Sequence, residues 1–102
     1  MIEQLSESDF SQKVIDAPGK VLVEFFATWC PHCQRMMPVI GLVADRLEGE
    51  VPVYQVDIDK CPQLAQKYAS NGVPTFLLFE DGVVKKTLVG EQSEQHLQQL
   101  AA

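Results

Sequence analysis

Cys30-Pro31-His32-Cys33 sets two thiols three positions apart, between an apolar run, Val21-Leu22-Val23-Glu24-Phe25-Phe26-Ala27, and an amphipathic stretch. In that stretch Cys33, Met36, Met37, Ile40, Ala44 and Leu47 recur at steps of three and four, the period of one helix face. The pattern predicts strand, short turn and helix, with Cys30 at the helix mouth. Pro31 then takes the first helical position, where a missing N–H leaves no bond unmade. Residues i and i+3 on a helix lie about 5–6 Å apart, and a disulfide needs its Cα atoms at a similar separation. Cys30 and Cys33 can therefore open and close a bridge with little backbone movement. Unpaired N–H groups and the positive end of the helix dipole favour an anion at Cys30. A thiol ionised in that way is a nucleophile. Cys30 is expected to attack and Cys33, one turn deeper, to resolve.

The competing chemistry is metal binding. A structural zinc site pairs one Cys-x-x-Cys with a second pair of ligands. The remaining candidates, Cys61, His32 and His96, form no such pair. Redox chemistry is preferred, no metal is expected, and the chain needs no cofactor of its own.

The 102 residues suit one domain spanning 1–102, able to bury about 60–70% of its extended surface. A hydrophobic share of 46% and a charged share of 22% are ordinary for a globular protein. The net charge is −6, and Lys85-Lys86 is the only adjacent basic pair, so nucleic acid is not an expected partner. No apolar run approaches the ~18 residues of a membrane span. The opening Met1-Ile2-Glu3-Gln4-Leu5 lacks the basic-then-apolar layout of a signal peptide. The expectation is a cytoplasmic monomer, and in a reducing compartment a lone Cys-x-x-Cys is catalytic or metal-binding rather than structural.

The elements that must carry the cysteines follow in order. Ile2–Leu5 reads as a short edge strand, and Ser6-Glu7-Ser8-Asp9 offers caps for a helix bearing Phe10 and Val14. Asp16-Ala17-Pro18-Gly19 stops it. Lys20–Ala27 is a central strand covered on both faces. The helix after Cys33 runs to about Leu47 with an interior Pro38 that bends it. Val51–Ile58 is the next strand, and Asp59-Lys60-Cys61-Pro62 opens a short helix. Asp81-Gly82, between two β-prone runs, marks a tight hairpin. Ser93 caps a last helix whose buried stripe is Leu97 and Leu100. The order βαβαβαββα gives a five-stranded mixed sheet between helices, a three-layer α/β/α sandwich.

Trp29-Cys30-Pro31-His32-Cys33, Pro38, Val73-Pro74-Thr75-Phe76 and Gly90 resemble thioredoxin in order and spacing, over essentially the whole chain. The resemblance implies a thioredoxin-like fold and a thiol–disulfide oxidoreductase. It implies a cis Val73-Pro74 peptide facing the cysteines, with Pro74 in the catalytic set. Trp29, Pro31, Val73 and Gly90 are implied to contact substrate. Protein disulfides are the implied substrates, and a flavin- and nicotinamide-dependent thioredoxin reductase the implied electron donor.

Three departures from the family pattern matter. Pro31-His32 stands where typical thioredoxins carry Gly-Pro, and it resembles the dipeptide of periplasmic disulfide oxidants. An imidazolium or N–H donor at His32 stabilises the Cys30 thiolate and makes the disulfide more oxidising; the alternative is a solvent-facing helix residue. Glu24 replaces a buried Asp. A carboxylate within an apolar strand has a raised pKa, and Glu24 is expected to accept the Cys33 proton through water. The alternative is a head group that reaches solvent. Gln55 replaces a lysine, and losing that cation is expected to leave nothing to offset the desolvation of Glu24. Cys61 is given a packing or capping role, His96 a surface one, and Met36 and Met37 places in the helix core. Reduction of protein disulfides is preferred over an oxidant or isomerase, and over a binding subunit with incidental cysteines.

Overall fold

The computed structural model describes residues 2–102. Strand β1 (Glu3–Gln4) leads into helix α1 (Glu7–Phe10), where the Ser6 hydroxyl accepts the Asp9 N–H at 3.2 Å. The helix widens over Ser11–Ile15 into π-type bonding, with the Asp16 N–H on the Ser11 carbonyl at 2.9 Å. Then follow β2 (Lys20–Phe26), α2 (Pro31–Leu47), β3 (Val53–Asp57), α3 (Pro62–Tyr68), β4 (Thr75–Glu80), β5 (Val83–Val89) and α4 (Glu94–Leu100). This is the order expected from the sequence.

The strands form one mixed sheet in the order β1-β3-β2-β4-β5. β3 runs parallel to both β1 and β2, while β4 is antiparallel to β2 and to β5. β3 begins two residues later than its apolar pattern suggests. The Val51 N–H bonds back to the Leu47 carbonyl at 2.9 Å, and Pro52 has no N–H for a ladder.

Alternation along β2 decides what lies on each face. Val21, Val23 and Phe25 join Phe10, Val14, Val56, Leu77 and Phe79, and Leu64 and Tyr68 of α3 pack against this cluster. Leu22 points the other way, against Met36, Ile40, Val43 and Leu47 of α2 and Leu97 and Leu100 of α4. Glu24 and Phe26 share that second face, so period two alone turns a carboxylate toward α2. The α2 stripe differs from the expected one. Met36, Ile40, Val43 and Leu47 are buried, whereas Met37 is 45% exposed. Spacings of four, three and four keep one face, and Met37 and Ala44 lie one position around it.

The Asp81-Gly82 turn has positive φ at both residues, 51° and 80°, which is the type I′ geometry a two-residue hairpin requires. A Cβ on Gly82 would stand 2.3 Å from the Ile15 carbonyl oxygen, so the close approach itself demands glycine. Asp81 ties the hairpin to the start of β2: its Oδ1 accepts the Gly19 N–H at 2.7 Å, and its own N–H donates to the Gly19 carbonyl at 2.9 Å. In β5 the register passes from Leu78↔Lys86 to Phe79↔Val84, leaving Lys85 as the extra residue of a bulge. Among the described residues no helix is long and apolar enough to cross a membrane.

Candidate active site

β2 ends under the site, and a tight turn through Thr28 and Trp29 closes with the Cys30 N–H on the Ala27 carbonyl at 3.2 Å. Cys30 is the N-cap of α2, in extended conformation, with Pro31 in the first turn as expected. The first helical bond runs from the Gln34 N–H to the Cys30 carbonyl at 3.0 Å. All three cysteines are free thiols. Cys30 keeps 6% of its surface exposed and Cys33 1%, so Cys30 is the outer sulfur.

The two thiols are driven in opposite directions. The backbone N–H of Cys33 is the main cause that brings Cys30 below its ordinary value. The Cys33 thiol, the His32 backbone N–H and the Arg35 charge add to it, while burial opposes. Cys33 is pushed up to about 12, chiefly by burial, with its hydrogen bond to Cys30 and the nearby charges of Cys30 and Glu24 adding to the rise and a backbone hydrogen bond at Ala27 opposing it. One group is thus prepared to be an anion while the other stays protonated beside it.

Glu24 is fully buried, which rules out a head group reaching solvent. Desolvation raises its pKa to about 7. Gln55, its register partner on β3, donates from Nε2 to Glu24 Oε1 at 2.8 Å and holds the rise to that value. The expectation that nothing offsets the desolvation is therefore corrected: an amide hydrogen bond does part of what a cation would. The same Nε2 lies 3.5 Å from Met37 Sδ, while Glu24 Oε2 has no partner among the described residues. Next to Cys33 a cleft of about 240 Å³, also lined by Phe26, Ala27, Thr28, Gln34 and Met37, is large enough for water.

The Val73-Pro74 peptide is cis, as the resemblance implied. The Cys30 thiol points to the Val73 carbonyl at 3.8 Å, and the Gly90 N–H bonds the Pro74 carbonyl at 2.8 Å. Val73, Pro74 and Gly90 are thereby gathered beside the outer sulfur. Trp29 is 62% exposed, its indole N–H donating to Asp59 Oδ2 at 2.9 Å. Pro31 is exposed on the same rim.

His32 enters the site differently from the expectation. Its imidazole turns to Glu91, with Nδ1 2.6 Å from Oε2, and only its backbone N–H bears on Cys30. The cation that bears on the sulfur is Arg35. Arg35, Glu91 and Asp59 were missed from the sequence. Arg35 lies at i+3 from His32 and so was findable on one helix face. The long-range partners Glu91 and Asp59 gave no local signal. Cys61 is buried, its thiol 3.5 Å from the Leu5 carbonyl, and burial raises its pKa. Among the described residues no group of three or more His, Cys, Asp or Glu is placed to hold a metal.

The thioredoxin family model matches residues 1–102. Thioredoxin 1 of Nostoc sp. is 35% identical, with 92% of this chain and 95% of that protein covered. The thioredoxin of Pseudomonas aeruginosa is 38% identical, covering 94% and 89%. Protein disulfide-isomerase A3 of Gallus gallus is 40% identical over 90% of this chain, which spans 18% of that protein. A helix-capping thiol above a deeper one, a cis proline beside it and a family match over the full length lead to one statement: the chain belongs to the thioredoxin family of protein disulfide oxidoreductases.

Proposed function

We propose that the chain reduces or exchanges protein disulfides through Cys30 and Cys33, as a Cys-Pro-His-Cys thioredoxin. The observation that carries this reading is a pair of free thiols one turn apart at the start of α2, the outer one capping the helix and facing the Val73 carbonyl of the cis Val73-Pro74 peptide. The Cys30 thiolate attacks a substrate sulfur, an S–S bond forms between them, and the substrate's other sulfur leaves as thiolate. Cys33 then gives its proton to the Glu24 carboxylate through water. Its thiolate attacks the Cys30 sulfur and releases the substrate's second thiol. The substrate gains two electrons, and Cys30–Cys33 is left as a disulfide. A carboxyl with a pKa of about 7 suits that proton transfer, since both of its forms are populated near neutrality.

Trp29, Pro31, Val73, Pro74 and Gly90 form the rim that receives the substrate chain. A thioredoxin reductase, with its flavin and nicotinamide, returns the disulfide to the dithiol. The potential is more oxidising than that of a thioredoxin with Gly-Pro between its cysteines, because the donors at Cys30 stabilise the reduced form. The 40% identity to a segment of a disulfide isomerase favours a second direction, isomerase or oxidant, on the same two cysteines.

Turnover in an insulin-disulfide reduction assay tests the reading. Cys30→Ser abolishes it, and Cys33→Ser accumulates a mixed disulfide with substrate. Undiminished reduction by Cys30→Ser overturns it. Equilibration with graded glutathione buffers fixes the direction.

A further inference from the structure

Three side chains from two distant stretches meet over the first turn of α2. Glu91, the residue after Gly90, brings one oxygen, Oε2, to 2.6 Å from His32 Nδ1, 3.0 Å from Arg35 Nε and 2.8 Å from Arg35 Nη2. A bare lone pair on Nδ1 would face the carboxylate oxygen across that short gap. Nδ1 therefore carries the hydrogen and donates it to Glu91. Arg35 Nη2, 2.9 Å from Nδ1, is then a second donor to the same oxygen rather than a partner of the ring.

The cluster stands on the surface, with the side chains of His32, Arg35 and Glu91 61%, 57% and 38% exposed. Exposed ion pairs add little to stability, so folding does not account for three donors on one oxygen. Their position does. Arg35 stands on the helix that Cys30 caps, where its charge favours the Cys30 thiolate, and Glu91 holds it by two hydrogen bonds. His32 lies between the two cysteines in sequence, and Glu91 follows the glycine that borders the outer sulfur.

We infer that Glu91 is a positioning residue for Cys30: by gathering Arg35 and His32 onto one oxygen, it sets how much positive charge the attacking sulfur meets. This rests on Cys30 being the nucleophile. Without Glu91 the guanidinium loses the anion that neutralises it locally and is free to swing toward the sulfur. Glu91 thus restrains the oxidising tendency that its two partners would otherwise impart.

The test measures Cys30 ionisation by ultraviolet thiolate absorbance, and the dithiol–disulfide equilibrium with glutathione, in the reduced full chain. Variants are Glu91→Gln, Arg35→Gln and the double substitution. Glu91→Gln is expected to raise the ionisation constant of Cys30 about threefold, half a pKa unit downward, and to shift the glutathione equilibrium toward the dithiol. Arg35→Gln moves both quantities the other way. In the Arg35→Gln background the Glu91→Gln effect falls to less than half, because the residue acts through its partners. No shift in Glu91→Gln, or one undiminished in the double variant, overturns the inference. An ordinary ionisation of Cys30 in the unsubstituted chain instead overturns the assignment of the nucleophile. Thermal melts of the variants separate a folding effect, which leaves the ionisation constant where it was.

Discussion

Gln55 Nε2 donates to Glu24 Oε1 across 2.8 Å and leaves Glu24 Oε2 buried with no partner among the described residues. One half of the carboxyl is anchored, and the other remains available for a proton. A lysine in place of the amide would pin the group as an anion. An apolar residue would leave it wholly uncompensated. The amide places the acid between those limits, with a pKa of about 7.

This has a consequence for stability. The ordinary carboxyl value is 4.5 and the folded value about 7, so between them the folded chain holds a proton that the unfolded chain releases. Stability therefore falls as pH rises through that window, by about 3 kcal/mol in all. Glu24→Gln is expected to abolish this slope and to be the more stable protein above pH 7. Denaturant melts of both proteins across the range check it.

Gln55→Leu removes the hydrogen bond that the Glu24 carboxyl accepts. The carboxyl pKa should climb above about 7, with a loss of about 1–3 kcal/mol in stability. Gln55→Lys should bring the pKa down toward its ordinary value. The pH profile of mixed-disulfide resolution reads both changes, and it shifts in opposite directions for the two variants.

Gly82→Ala forces a Cβ to 2.3 Å from the Ile15 carbonyl at a φ of +80°. Neither the hairpin nor the π-type turn can yield without losing backbone bonds. A loss on the order of 2 kcal/mol is expected, seen as a lowered melting temperature. The Cys30 ionisation constant should be unchanged, since the turn lies at the far end of β4 from the cis proline.

Phe10→Ala empties the centre of an aromatic cluster in which the Phe10 ring stands 5.5 Å from Tyr68, 5.7 Å from Phe79 and 6.3 Å from Phe25. The expected loss is about 3–5 kcal/mol. Insulin reduction per folded molecule should persist, because this cluster lies on the sheet face away from α2.

Much of the fold was legible because each element carries a local signal. The β2 run, the Ser6 and Ser93 caps, Pro31 at the start of α2 and Asp81-Gly82 all declare themselves within a few residues. The placement of the cysteine pair was legible for the same reason, since it follows from one helical turn. The electrostatic surroundings were not. Whether His32 faces the sulfur or Glu91 depends on where the chain returns after β5, 59 residues later. The Gln55–Glu24 bond depends likewise on the register of β2 with β3. A period of three or four could not say which of Met36 and Met37 was buried, because both fit until Val43 chooses the stripe.

The margins of the sheet also bear on how the molecule behaves in company. One outer strand is two residues long, and the other is broken by the surplus Lys85 and followed by Lys86. Short length, a kink and positive charge each discourage a foreign chain from zipping on by its backbone. The sheet thus meets neighbouring proteins, and its own copies, without offering either an open ladder.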